Sequence, residues 1–142
     1  MIESIRQMKA EGRFPQVNSL IPYTGYIGLE VEQLGDRVES VLRYQRSNIG
    51  NPMIPAIHGG VVGAALEHAA IVETLYTLES ETLPRVINIT ISYMRPVLAK
   101  DMRMRAELVR SGRRVANVHA YAWQDDPSRW VASAQINFKL AD

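Results

Sequence analysis

Residues 51–68 read NPMIPAIHGGVVGAALEH, and this stretch decides the fold. A loop rich in Pro and Asn runs into His58-Gly59-Gly60, and an apolar run begins at once. The pattern predicts a helix over residues 60–80. Val61, Val62, Ala64, Ala65, Leu66, Ala69, Ala70, Ile71, Val72 and Leu75 occupy most of its circumference. Glu73, Thr77 and Ser80 form the one narrow polar face. A helix apolar nearly all round is a buried helix.

Outward from this helix the chain alternates with period 2, the mark of strands with one buried face. Upstream, Leu29 to Leu34 and Val38 to Tyr44 flank a Gly35-Asp36 turn, a hairpin signal. Downstream, Ile87, Ile89, Ile91 and Tyr93 alternate with polar residues. Met102, Met104, Ala106 and Leu108 form the next such face, then Ala116, Val118, Ala120 and Ala122. Trp130, Ala132, Ala134, Ile136 and Phe138 form the last. The small residues of the Ala116–Ala122 face would let a helix lie close to the sheet. Two strands, a long apolar helix and four more strands predict an α+β fold: an antiparallel sheet curled round one central helix. At the N-terminus, Ile2, Ile5 and Met8 make one stripe of a short helix, and residues 22–28 read as loop.

The composition removes several function classes. The 142 residues suit a single domain, 1–142, with residues 1–27 as an N-terminal helix and loop segment. The net charge of +1 gives no reason to expect nucleic acid or an anionic membrane as partner. The absence of cysteine excludes a thiolate nucleophile and a Cys-based zinc site, and it fits a cytoplasmic location. Val61 to Val72, interrupted by Glu67 and His68, is too short to span a bilayer. No signal peptide is expected from residues 1–11.

Two features of the 51–68 stretch carry chemistry. The first N–H groups of a helix lack intrahelical partners, and with the macrodipole they can hold an anion or a developing oxyanion. Glycines at that entrance leave the backbone open to a ligand. A plain tight turn before a helix accounts for His-Gly-Gly about equally well. Glu67 is the second feature. Its helical neighbours Gly63, Ala64, Ala70 and Ile71 are apolar or lack a side chain, so it is at least partly buried. Burial raises a carboxyl pKa toward values useful for acid or base work. A structural Glu paired with an Arg across an interface, or with His68, is the competing reading.

The string HGGVVGAALE, residues 58–67, resembles the signature of hotdog-fold thioesterases. It is most similar to the 4-hydroxybenzoyl-CoA and phenylacetyl-CoA (PaaI-type) branch. In that family a catalytic Asp or Glu follows the His of the HGG turn by nine positions, the spacing of His58 and Glu67 (67 − 58 = 9). VINITISYMRP (86–96) resembles the strand after the helix, and SGRR (111–114) the Gly-Arg hairpin. The resemblance runs from Gly28 to Leu140.

It implies hydrolysis of an acyl-CoA to free acid and CoA, without metal or bound cofactor. Glu67 would be general base or nucleophile. The N–H groups of Gly59 and Gly60 would polarise the carbonyl, and Asn51, with Asn48 behind it, would position water or carbonyl. His58 joins this set as part of the turn. The family's water-orienting Ser or Thr falls on Val86 here, and Thr90 and Ser92 are out of register, so that role is not carried over. His68 lies about 100° from Glu67 on the helix and is expected to face elsewhere. His119 matches no motif. Arg110, Arg113 and Arg114, with Arg95 in reserve, are candidates for the CoA phosphates. The resemblance also implies a homodimer or a tetramer of two dimers, with Glu67 facing its neighbour's HGG turn. An acyl-CoA-binding module without turnover and an acyl-thioester hydratase or dehydratase are the alternatives. The latter needs a His–acid pairing not found here.

Overall fold

The computed structural model describes residues 4–140. Strands β1 (Leu29–Leu34) and β2 (Arg37–Leu42) form the first hairpin around Gly35, whose φ of 66° suits glycine. A small hairpin follows, β3 (Ile49–Asn51) and β4 (Ala56–Ile57), inside the stretch expected to be loop. The long helix comes next, then β5 (Arg85–Tyr93), β6 (Met102–Ser111), β7 (Val115–Trp123) and β8 (Ala132–Lys139). The main sheet has six antiparallel strands in the order β1-β2-β6-β7-β8-β5. This is the α+β hotdog arrangement expected from the sequence.

Three helices accompany the sheet: α1 (Ile5–Ala10), α2 (Tyr23–Ile27) and the central α3 (Gly59–Leu78). A 3-10 turn, Phe14–Leu20, joins the first two. Ile5 and Met8 are buried as expected, whereas Ile2 lies outside the described residues. Residues 22–28, read as loop, contain α2 instead, which ends on Gly28 at φ 84°. Five residues are too few for a helical period to be legible.

α3 packs on the concave face of the sheet. Its Leu66 and Ala69 are buried in one cluster with Ala116, Ala120, Ala122, Ala132, Met102, Met104 and Phe138 of the sheet. Small side chains on the sheet let the helix axis come close, as their pattern predicted. A second cluster caps the other side. There Ile5, Met8, Phe14 and Val17 pack on Val72, Leu75 and Tyr76 of α3 and on Val31 and Val38. The polar face at Glu73 is met by this N-terminal segment, with Lys9 beside it. By length and composition α3 could cross a bilayer, but 61% of its most apolar window is buried inside the protein.

Two expectations of burial fail. The β5 face was expected to be core, and Ile89 and Ile91 do pack on it, yet Ile87 and Tyr93 are 53% and 55% exposed, because β5 is an edge strand. Trp130 lies before β8 rather than in it, 39% exposed and stacked on Tyr121 at 4.6 Å.

Between β2 and β6, the buried Glu39 accepts hydrogen bonds from Arg103 and Arg105, and Arg103 also reaches Glu32 at 2.8 Å. Burial raises the Glu39 pKa, but the bonds and charges of both arginines outweigh it and hold the carboxyl below its ordinary 4.5. A carboxyl with a lowered folded pKa contributes stability above pH 4.5 that is lost as pH falls through the folded value. Glu39→Gln should therefore cost about 2 kcal/mol at pH 7. The cost should shrink steadily below pH 4.5. Paired thermal melts of both proteins from pH 7 to pH 3 check this, and a cost independent of pH contradicts it.

Candidate active site

α3 begins where β4 ends. His58 is its N-cap, and the His58 Nδ1 accepts the Gly60 N–H at 2.8 Å. The imidazole proton therefore sits on Nε2. His58 acts here as a cap, and the Gly60 N–H, expected as an oxyanion donor, is already engaged. The Gly59 N–H has no partner among the described residues. Tyr93 on β5 donates its hydroxyl to the Gly59 carbonyl at 2.8 Å, which fixes the turn from the far side. Gly50 in β3 is required for the same turn: a Cβ there would lie 2.6 Å from the His58 Cα.

Gly59 and Asn51 line one cleft of about 350 Å³, with Ile57, Tyr93, Arg95 and Val97. Asn51 is exposed, and its Oδ1 accepts the Met53 N–H at 3.0 Å. Its Nδ2 is left as a donor, with no partner among the described residues. Asn48 does other work. It is buried and its Nδ2 donates to the Ile27 carbonyl at 2.8 Å, tying α2 to the base of α3.

Glu67 lies in a different concavity, a cavity of about 150 Å³ between α3 and the α2 segment. Ile21, Tyr23, Thr24, Leu29 and Ile71 share its wall. The carboxylate is half-buried and makes no hydrogen bond or ion pair among the described residues. Burial alone raises its pKa above 4.5. The expected separation of His68 from Glu67 fails: both line this cavity, because it wraps around the helix. Gly60, Ala64, Glu67 and Ile71 recur at helical spacing and remain partly or fully exposed along one stripe of a largely buried helix.

Gly59 and Glu67 stand eight residues apart on one helix, a rise of about 12 Å. N–H groups at a helix start also point away from the helix body. The two cannot meet one carbonyl within a single chain, where donor and base contacts of about 3 Å are needed.

Arg110, Arg113 and Arg114 are exposed around the β6–β7 turn. Val115 pairs with Lys139, which pairs with Arg85 at the start of β5, whereas Tyr93 at the other end of β5 touches Gly59. The arginine hairpin thus lies about 25 Å of strand away from its own Gly59. The reserve candidate, Arg95, lines the Gly59 cleft itself.

Residues 49–139 match the family model of the acyl-CoA thioesterase N-terminal domain. The chain belongs to this acyl-CoA thioesterase family. Its matched segment contains the whole of α3 and strands β3 to β8. A phenylacetic acid degradation-related protein from Ralstonia eutropha has the same fold, with a TM-score of 0.75 and 26% identity over 89% of this chain and 98% of that one. A thioesterase from Haemophilus influenzae superposes with a TM-score of 0.78 at 18% identity, over 92% of this chain and 89% of that one. A variant of the phenylacetic acid degradation protein PaaI from Thermus thermophilus gives 0.71 at 18% identity, over 84% and 99%. At that identity the last two speak for the fold alone. No curated protein sequence matches the chain. As a member of an acyl-CoA thioesterase family, the chain is a thioester hydrolase.

Proposed function

We propose that this thioesterase hydrolyses acyl-CoA at a site shared between two copies of the chain, with Glu67 of one subunit facing Gly59 of its neighbour. The observation that carries this reading is the isolation of each half. Glu67 has no partner in its cavity among the described residues, the Gly59 N–H has none in its cleft, and about 12 Å of helix keeps them apart. The half-covered stripe Gly60-Ala64-Glu67-Ile71 and the exposed apolar face of β5 offer the surfaces for a homodimer, or for a tetramer of two dimers.

In the assembled site the Gly59 N–H and the Asn51 Nδ2 hold the thioester carbonyl oxygen. Glu67 takes a proton from water as the water oxygen bonds to the carbonyl carbon. The negative charge that develops on the carbonyl oxygen meets the helix N-terminus. The C–S bond then breaks, and the proton passes from Glu67 to the CoA thiolate. Half-burial suits Glu67 to this work, since a raised pKa makes it a stronger base near neutral pH. The products are a free acid and CoA.

Arg95, which lines the Gly59 cleft and donates to the Trp130 carbonyl, would meet a CoA phosphate there, while Arg110, Arg113 and Arg114 would reach a site only in a neighbouring subunit. Arg95→Gln should raise KM for acyl-CoA about tenfold with kcat little changed. Arg113→Ala should leave KM nearly unaltered at moderate salt. A larger KM effect at Arg113 than at Arg95 reverses the assignment.

Thiol release from a panel of acyl-CoAs tests the function itself. Free CoA is expected with at least one member. Hydration of an enoyl-CoA without CoA release would favour a hydratase, and saturable binding without either product a binding module.

A further inference from the structure

Tyr93 and His58 hold one peptide group from opposite ends. The Tyr93 hydroxyl donates to the Gly59 carbonyl at 2.8 Å, and the Gly60 N–H donates to the His58 Nδ1 at 2.8 Å. That carbonyl and that N–H belong to a single rigid plane, the Gly59–Gly60 peptide. Two glycines a helical turn apart face the phenol. A Cβ on Gly59 would lie 3.5 Å from its ring, and one on Gly63 would lie 3.6 Å from its oxygen. At Gly63 a Cβ would also meet the Ile91 Cδ1 at 2.8 Å, so β5 passes close to α3 here. Yet Tyr93 is 55% exposed and stands outside both hydrophobic clusters. Its ring adds little to the core, whereas its hydroxyl acts directly on the turn.

We infer that Tyr93 is a positioning residue for thioester hydrolysis: it clamps the Gly59–Gly60 peptide so that the adjoining Gly59 N–H stays aimed at the substrate carbonyl. This rests on the hydrolase reading, with Gly59 as the oxyanion donor. The need for a clamp follows from the sequence. Glycines open the backbone to a ligand, but two in succession also leave it a wide range of φ and ψ. An oxyanion donor that wanders loses its effect, because the stabilisation depends on preorganisation. His58 secures one end of the peptide plane and Tyr93 the other. The phenol does not serve as an acid toward the leaving thiolate, since its proton is directed to the Gly59 carbonyl.

Tyr93→Phe removes the bond and keeps the ring. It should lower kcat about tenfold with KM little changed, in a protein that assembles and melts like the wild type. A cycle with Gly59→Pro, which has no N–H left to aim, separates positioning from mere support. In that background Tyr93→Phe should cost less than about twofold more, whereas a purely structural tyrosine would multiply the two losses. Wild-type kcat in Tyr93→Phe overturns the inference. So do multiplied losses in the double variant, or a fall in kcat that tracks dissociation of the subunits. With isotopically labelled glycine, the Gly60 amide should exchange with solvent at least about tenfold faster in Tyr93→Phe, and an unchanged rate overturns the clamp whatever the activity. CoA release by the wild type from any acyl-CoA upholds the hydrolase reading whatever Tyr93 does. If none releases CoA, that reading fails, and the Gly60 exchange rate alone decides the clamp.

Discussion

Glu67→Gln is expected to lower kcat by at least about 10²-fold, with KM little changed. The amide keeps the size of the side chain but carries neither the negative charge nor the basicity. The loss is felt in the transition state, where the proton leaves water. Folding should survive, because Glu67 is only half-buried and no arginine or histidine among the described residues depends on its charge. The pH profile supplies an independent check. With a pKa raised by burial, the base is active above that value and lost below it. The kcat/KM profile should therefore show an acid limb above pH 4.5 that vanishes in the Gln variant. A well-folded Glu67→Gln enzyme with wild-type turnover would remove Glu67 from the mechanism. An unstable or unassembled variant with normal specific turnover would mark it as structural.

Gly59→Pro should produce an effect of similar size, about 10²- to 10³-fold in kcat, by removing one oxyanion donor. The substitution is mild for the fold. Gly59 is the first residue of α3, where proline is favoured because its missing N–H has no helical partner. The preceding residue must be extended, and His58 already has φ −57° and ψ 131°. A Cβ at this position meets the Tyr93 ring at 3.5 Å, an ordinary contact. Gly59→Ala retains the N–H and serves as the control, with near-normal kcat expected. Equal losses in the Ala and Pro variants would mean that crowding against Tyr93, rather than loss of the donor, governs the effect.

The sequence revealed most of the fold because its signals were long and regular. Twenty apolar-rich residues announced α3, and the alanines at 116, 120 and 122 announced the surface it lies on. The β5 face misled at its two ends, since alternation reports which residues share a side but not what covers each of them, and only Ile89 and Ile91 pack on the core. Ile87 and Tyr93 alternate like core residues yet lie on an uncovered edge. The site was legible in part. Gly59, Asn51 and Glu67 came from local pattern and resemblance. The engagement of the Gly60 N–H by His58 depends on a side-chain rotamer, which no spacing encodes. The shared cavity of Glu67 and His68 depends on α2, a helix too short to be read from its residues. The contact of Tyr93 with Gly59 joins residues 34 positions apart, beyond any local signal.

The most direct test mixes the two damaged subunits. Glu67→Gln and Gly59→Pro chains are each expected to be nearly inactive alone. In a mixed dimer, however, the Glu67 of one chain faces the Gly59 of the other and one site is whole. Co-expression at equal levels gives half of the dimers mixed, each with one good site in two, so about a quarter of wild-type activity should return. A mixture no more active than its parents, with mixed oligomers seen by native mass spectrometry, would contradict a site shared between subunits.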